Sequence, residues 1–299
     1  MARGLRRLLT MPIQAVRFYS DGYALGGRLH LPDATDSGPM PVIVQGSGWM
    51  EACCSAVSEP FHTGLVAEGY AVLQFDNRGW GDSEGSRTVI DPYDQVTDLI
   101  NAVRYVATRH DLDVERIGMF GLGGTGAGNA VCAAAECPEV KCVVLQNVVA
   151  CGPEWFRRMR REYEWLEFRE RVASNRIQAA RTGTDELVDP TEELMVGTPA
   201  RRAANMPIYG PSFALSSAES LMAFRPVDSV ARISPRALLI AAIDDDPVTP
   251  IEHALALYQA AGSPKCLIRQ KGVGTYEAYT ANYRQLMRAF LDWFGTYLA

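Results

Sequence analysis

The sequence predicts an α/β protein: a mostly parallel, eight-stranded sheet flanked by helices, with a helical cap insertion. Three observations carry this. Short apolar runs recur at 41–45, 71–75, 117–120, 142–146 and 237–243, with the length and continuous hydrophobicity of strands buried on both faces. Segments of helical periodicity separate them, as parallel pairing requires. Residues 151–222 then break the alternation with a charged, aromatic stretch. This divides the chain into a core of 1–150 and 223–299 and a cap of 151–222.

In chain order, 15–19 and 24–31 read as a hairpin around Asp21-Gly22, and 32–41 as a polar turn rich in Asp, Gly and Pro. Strand 41–45 ends in Gly46-Ser47-Gly48. Helix 61–68 stops at Gly69, and strand 71–75 leads into Asp76-Asn77-Arg78-Gly79. Asp91 caps a helix with Pro92 in its first turn, and Val96, Leu99, Ile100, Val103 and Val106 form its apolar stripe. Strands 117–120 and 142–146 flank a helix of small residues. Within the insertion, 155–180 is helical, with Trp155, Met159, Tyr163 and Leu166 on one face. Strand 237–243, helix 251–261, strand 266–269 and helix 282–297 complete the set. Ligands on such sheets bind at the carboxyl ends of the strands. The loops after Gln45, Phe75, Phe120, Gln146 and Ile243 are where a site is expected.

The composition narrows the partners. A net charge of -6 over 299 residues argues against nucleic acid, and no apolar run approaches the roughly 20 residues of a membrane span. The start carries Arg3, Arg6 and Arg7 but no secretory-signal pattern. Seven cysteines, an odd number without framework spacing, suggest reduced thiols and a cytoplasmic protein. No cysteine and histidine cluster has zinc spacing, so neither metal nor cofactor is expected. The expected partner is a hydrophobic small molecule, with a homodimer left open.

The most informative segment is Arg116 to Ala130, R-I-G-M-F-G-L-G-G-T-G-A-G-N-A. A strand enters a glycine turn and leaves as a small-residue helix. This is the plan of the G-x-S-x-G elbow, in which a strained turn presents a nucleophile. Gly123 holds the nucleophile position and has no side chain to attack with.

Several motifs accompany it: Gly46-Ser47-Gly48-Trp49, the run from Phe75 to Gly85, Asp91-Pro92-Tyr93 with Gln95, and Asp245-Asp246-Pro247-Val248-Thr249-Pro250. With them the chain resembles the α/β-hydrolase superfamily from about residue 15 onward. The resemblance is to its dienelactone-hydrolase and X-prolyl-peptidase-like branch, with enzymes akin to polyketide acyltransferases and thiohydrolases. It implies a serine or cysteine where Gly123 stands, a histidine where Thr275 stands and a triad acid at Asp246. It also implies oxyanion donors from Gly124 and the 47–49 loop, Gly48 and Trp49 included. Asp246, Asp245, Glu277, Tyr276 and Glu51 are candidate acids or bases. Trp155 and Tyr163, with Met159 and Trp165, are candidate walls for an apolar ligand. His30, His62, His110 and His253 read as surface or packing residues, Thr125 as helix packing, and Cys53 and Cys54 as buried thiols.

Loss of the nucleophile or the histidine alone costs nearly as much catalysis as loss of the whole triad, whereas backbone oxyanion donors survive both. The leading expectation is therefore a non-hydrolytic enzyme, of lyase, isomerase or cyclase type, acting on a hydrophobic carbonyl compound such as a natural-product intermediate. A hydrolase or acyltransferase using an unrecognised nucleophile or water is the first alternative. A ligand-binding pseudoenzyme is the second.

Overall fold

The computed structural model describes residues 12–33, 38–49, 53, 57–195, 197–199 and 212–299. Its strands are β1 (Ile13–Ser20), β2 (Tyr23–His30), β3 (Met40–Gly46), β4 (Ala71–Phe75), β5 (Leu112–Leu122), β6 (Val140–Gln146), β7 (Leu187–Val188), β8 (Phe213–Ala214), β9 (Ala237–Ile243) and β10 (Lys265–Gln270). Its helices are α1 (Glu59–Ala67), α2 (Pro92–Val106), α3 (Gly124–Glu136), α4 (Gly152–Arg158), α5 (Glu162–Thr182), α6 (Ser217–Ala223), α7 (Ile251–Ala260), α8 (Ala278–Ala281) and α9 (Tyr283–Tyr297).

Eight strands form one sheet, in the order β1-β2-β4-β3-β5-β6-β9-β10. The β1–β2 and β2–β4 pairings are antiparallel and all others are parallel. Asp21 and Gly22, at φ 47° and 86°, make the tight turn of the first hairpin. One face of the sheet packs against α2, α3 and α7, the other against α1 and α9. Strands β3, β4, β6 and β9 are buried along nearly their whole length, which explains their unbroken apolar runs. Asp91 caps α2 as the sequence predicts, accepting from the Tyr93 N–H at 2.8 Å. Arg78 joins the turn after β4 to that helix: its Nη2 lies 2.7 Å from Oδ1 of the fully buried Asp98 and 3.2 Å from Asp21.

The elbow helix lies almost on the sheet. A Cβ at Gly121 would stand 2.6 Å from the Ala127 Cα, and one at Gly126 2.7 Å from the Gly46 carbonyl. Only glycines and alanines allow this approach, which accounts for the composition of the segment.

Two readings of the sequence need correction. Strand β5 starts at Leu112 rather than 117, because its first half is polar and only partly buried. The 155–180 stretch is two helices. α4 ends at Arg158 with Met159 as its C-cap, and α5 starts after Arg161, whose N–H donates to Glu164 Oε2 at 2.7 Å. The break shifts the helical phase. Trp155, Phe156, Trp165, Phe168 and Val172 face inward, whereas Tyr163 and Leu166 are 54% and 55% exposed.

These helices are tied to the core at separate points. Gly152 N–H donates to Phe224 O at 2.7 Å, and Trp155 Nε1 to Val248 O at 2.6 Å. On the other side, Ile90 N–H donates to Ser217 Oγ at 3.0 Å and Ser220 Oγ to Asp91 Oδ2 at 2.9 Å. No helix among the described residues is long and apolar enough to cross a membrane.

Candidate active site

At the end of β5 the chain turns through Gly123, at φ 75° and ψ 156°. This conformation is essentially reserved for glycine. Among the described residues, a Cβ at this position would meet a single atom within 4 Å, Tyr279 Oη at 3.9 Å. Among these residues, the nucleophile's place is thus open and bordered by a tyrosine hydroxyl. Gly124 follows as the first residue of α3, where backbone N–H groups have no intrahelical partner and the helix dipole favours negative charge. A Cβ on Gly124 would lie 2.6 Å from Thr249 Cγ2, so the elbow packs directly on the turn after β9.

That turn is organised by Asp246. Its Oδ1 accepts from the N–H groups of Val248 at 2.7 Å and Thr249 at 3.0 Å, and its Oδ2 from Thr249 Oγ1 at 2.6 Å. A fourth donor is Thr275 Oγ1, 2.5 Å from Oδ1. Asp246 and Thr275 are both 5% exposed. The structure therefore brings together the two positions that resemblance to the family pairs as acid and histidine. It joins them through a hydroxyl, which cannot serve as a base at neutral pH.

The loop after β3 adopts a different role from the one expected. The Trp49 N–H donates to Thr125 Oγ1 at 3.0 Å, so it is engaged and is not a free oxyanion donor. Gln95 Nε2 donates to the Trp49 carbonyl at 3.3 Å, and Asn129 Nδ2 to Gln95 Oε1 at 3.1 Å, tying this loop to α2 and α3. Trp49 and Trp155 meet edge to face with ring centroids 5.3 Å apart. A cavity of about 550 Å³ adjoins Trp155, Met159, Pro247, Val248 and Pro250.

Other candidates fall outside this group. Tyr163 lies on the exposed side of α5, its hydroxyl 3.1 Å from Glu164 Oε1. Glu277 is exposed and accepts from the Gly274 N–H at 3.2 Å within its own loop. Asp245 is exposed, and Tyr276 is half-buried beside α9. Glu51 and Cys54 lie outside the described residues.

No histidine reaches Asp246, whose four donors are named above. His62 pairs with the Gln45 side chain and lies 4.7 Å from the His30 ring. Burial, and then His30, push its pKa down to about 3. His253 is buried, and its Nδ1 accepts from the Ala150 N–H at 3.4 Å. Burial raises the thiols of Cys132, Cys137 and Cys142, that of Cys137 to about 11, which keeps them protonated and poorly nucleophilic. Among the described residues, no group of three or more His, Cys, Asp or Glu side chains is placed to hold a metal ion.

The sequence reading missed Asn147 and Tyr279. Asn147 follows β6 at φ 56°, and its Nδ2 donates to Tyr279 Oη at 3.3 Å. The available signal was an asparagine directly after a buried strand, since asparagine tolerates the left-handed region better than most residues.

Comparison with known proteins agrees with the geometry of the fold. Residues 21–274 match the X-Pro dipeptidyl-peptidase (S15) family. The chain is 26% identical over 276 residues to thiohydrolase aneE of Aspergillus aculeatus, covering 82% of this chain and 80% of that one. It is 24% identical over 251 residues to acyltransferase drtE of Aspergillus calidoustus, covering 78% of each. The crystal structure of hypothetical protein PA2218 from Pseudomonas aeruginosa superposes with a TM-score of 0.83 at 22% identity. That match covers 97% of this chain and 94% of that one, and it is a likeness of fold.

Proposed function

Because the chain belongs to the X-Pro dipeptidyl-peptidase (S15) family, with the α/β-hydrolase fold, we propose that it is an acyl-transfer enzyme working without a covalent acyl-enzyme. Its substrate is a hydrophobic ester or thioester of natural-product type, and its acceptor is water or a small nucleophile. One observation carries this reading: the nucleophile's place is open beside an intact helix N-terminus. The acceptor occupies the open place. The Gly124 N–H stabilises the oxyanion that develops as the acceptor's oxygen bonds to the acyl carbon. With a thioester, the C–S bond then breaks and the thiolate takes the proton the water gives up. Thioesters suit a site without a strong base, because a thiolate leaves readily. The cavity bordered by Trp155, Met159 and Val248 supports an apolar acyl chain.

Relatives named as a thiohydrolase and an acyltransferase support this class over the elimination or cyclisation chemistry expected from the sequence. The test combines turnover with mass. Decanoyl N-acetylcysteamine thioester is incubated with the protein, thiol release is followed, and intact mass is recorded during turnover. The expected result is thiol release with no acyl adduct, and no adduct with a fluorophosphonate probe. An adduct would reveal a nucleophile elsewhere in the chain. Absence of thiol release across acyl-chain lengths would remove the acyl-transfer reading.

A further inference from the structure

Two side chains from distant parts of the chain meet beside the elbow. Tyr279 lies in α8, and among the described residues its Oη is the atom that a Cβ at Gly123 would meet, at 3.9 Å. Asn147 Nδ2 donates to that oxygen at 3.3 Å. Tyr279 and Asn147 are 7% and 2% exposed.

The backbone fixes both residues. Asn147 N–H donates to Ala241 O at 2.9 Å, and the carbonyl of the preceding residue, Gln146, accepts from the Gly123 N–H at 3.1 Å. Asn147 holds φ 56°, a conformation that persists in a non-glycine residue only where the surroundings impose it. On the other side, Ala278 N–H donates to Gly274 O at 3.1 Å. Thr275 fastens the same segment to Asp246. Two secured segments therefore hold the phenol oxygen next to the place where the family's nucleophile would stand.

An oxygen bound in that place can hydrogen-bond to the phenol. A phenol hydroxyl both accepts and donates. An acceptor that donates its O–H to Tyr279 Oη keeps a lone pair for the acyl carbon, and water or a small alcohol does this. The phenol orients the acceptor, whose proton passes to the departing thiolate as in the step above. We propose that Tyr279 is a catalytic residue that binds and orients an oxygen acceptor, with Asn147 as its positioning residue. This rests on the acyl-transfer reading above.

The experiment follows thiol release from decanoyl N-acetylcysteamine thioester with the full chain and with Tyr279→Phe, which deletes the oxygen and keeps the ring. The expected result is a kcat about tenfold or more lower with KM within about twofold, because the lost contact is made to the acceptor and not to the acyl chain. Asn147→Gly accepts φ 56° without strain and deletes the amide. It should lower kcat in the same sense but by less, and thermal melting confirms that each variant folds. An unchanged kcat in Tyr279→Phe, or a loss confined to KM, overturns the role of Tyr279 and leaves the acyl-transfer reading intact. If the unmodified protein releases no thiol at any acyl-chain length, both readings fall together.

Discussion

Thr275 Oγ1 donates to Asp246 Oδ1 at 2.5 Å, a buried contact between the loop after β10 and the turn after β9. Asp246 accepts three further hydrogen bonds from its own turn, so its oxygens are occupied by structure. Hydrogen bonds to a charged acceptor contribute about 1.5–3 kcal/mol. Thr275→Val keeps the volume and deletes the donor. The expected loss of stability is about 2 kcal/mol by urea denaturation, and an unchanged midpoint would show that the contact is incidental.

Gly123→Ser places a side chain where the backbone adopts φ 75° and ψ 156°. The strain is expected to cost about 1–3 kcal/mol. The variant should remain unlabelled by a fluorophosphonate probe, because nothing beside it removes the hydroxyl proton. Adding Thr275→His restores an imidazole at a position whose side chain already touches Asp246. The double variant should be labelled, and intact mass distinguishes the two. Labelling of the single variant would reveal a base other than residue 275.

His62 has a folded-state pKa of about 3 against an ordinary value of 6.5, owing first to burial and then to His30. Between those pH values the unfolded chain binds a proton that the folded chain does not. This contribution to stability is fully present above about pH 6.5 and is lost as the pH falls toward 3. The slope reaches about 1.4 kcal/mol per pH unit. His30, also lowered chiefly by burial, acts in the same direction. His62→Gln can still donate to Gln45 and should flatten the decline in urea denaturation between pH 4 and 6.5. An identical slope in the variant would assign acid instability elsewhere.

Trp155 packs on Trp49 and donates to Val248 O at 2.6 Å, fastening α4 over the turn of Asp246. Trp155→Ala removes a buried aromatic and should cost about 3–5 kcal/mol. The loosened segment contains Arg157, Arg158, Arg160 and Arg161, so trypsin should cut there sooner than in the unmodified protein. A cleavage rate unchanged at these arginines would mean that α4 is held by other contacts.

Most of the fold was legible because parallel strands buried on both faces leave continuous apolar runs, as in Val140–Gln146 and Ala237–Ile243. The first half of β5 was not, since its polar residues carry no such run. The phase of α5 was lost at the break between Met159 and Arg161, where a short interruption redirects every later side chain. Within the site, the pairing of the Asp246 and Thr275 positions was implied by the resemblance to the family. The places of Asn147 and Tyr279 were not. A positive φ at Asn147 is a property of the folded backbone, and a tyrosine beside the elbow looks in sequence like any core aromatic.

The segment between β6 and β9 is held through α4 at the Val248 turn and through α6 at residues 90 and 91. Two helices anchored at separate points do not swing together like a door on one hinge. Trp155 and Met159 border the cavity beside α4, next to the turn of Asp246. The volume of that cavity should therefore follow the bulk of those two side chains, because the helix that carries Trp155 is pinned at Val248.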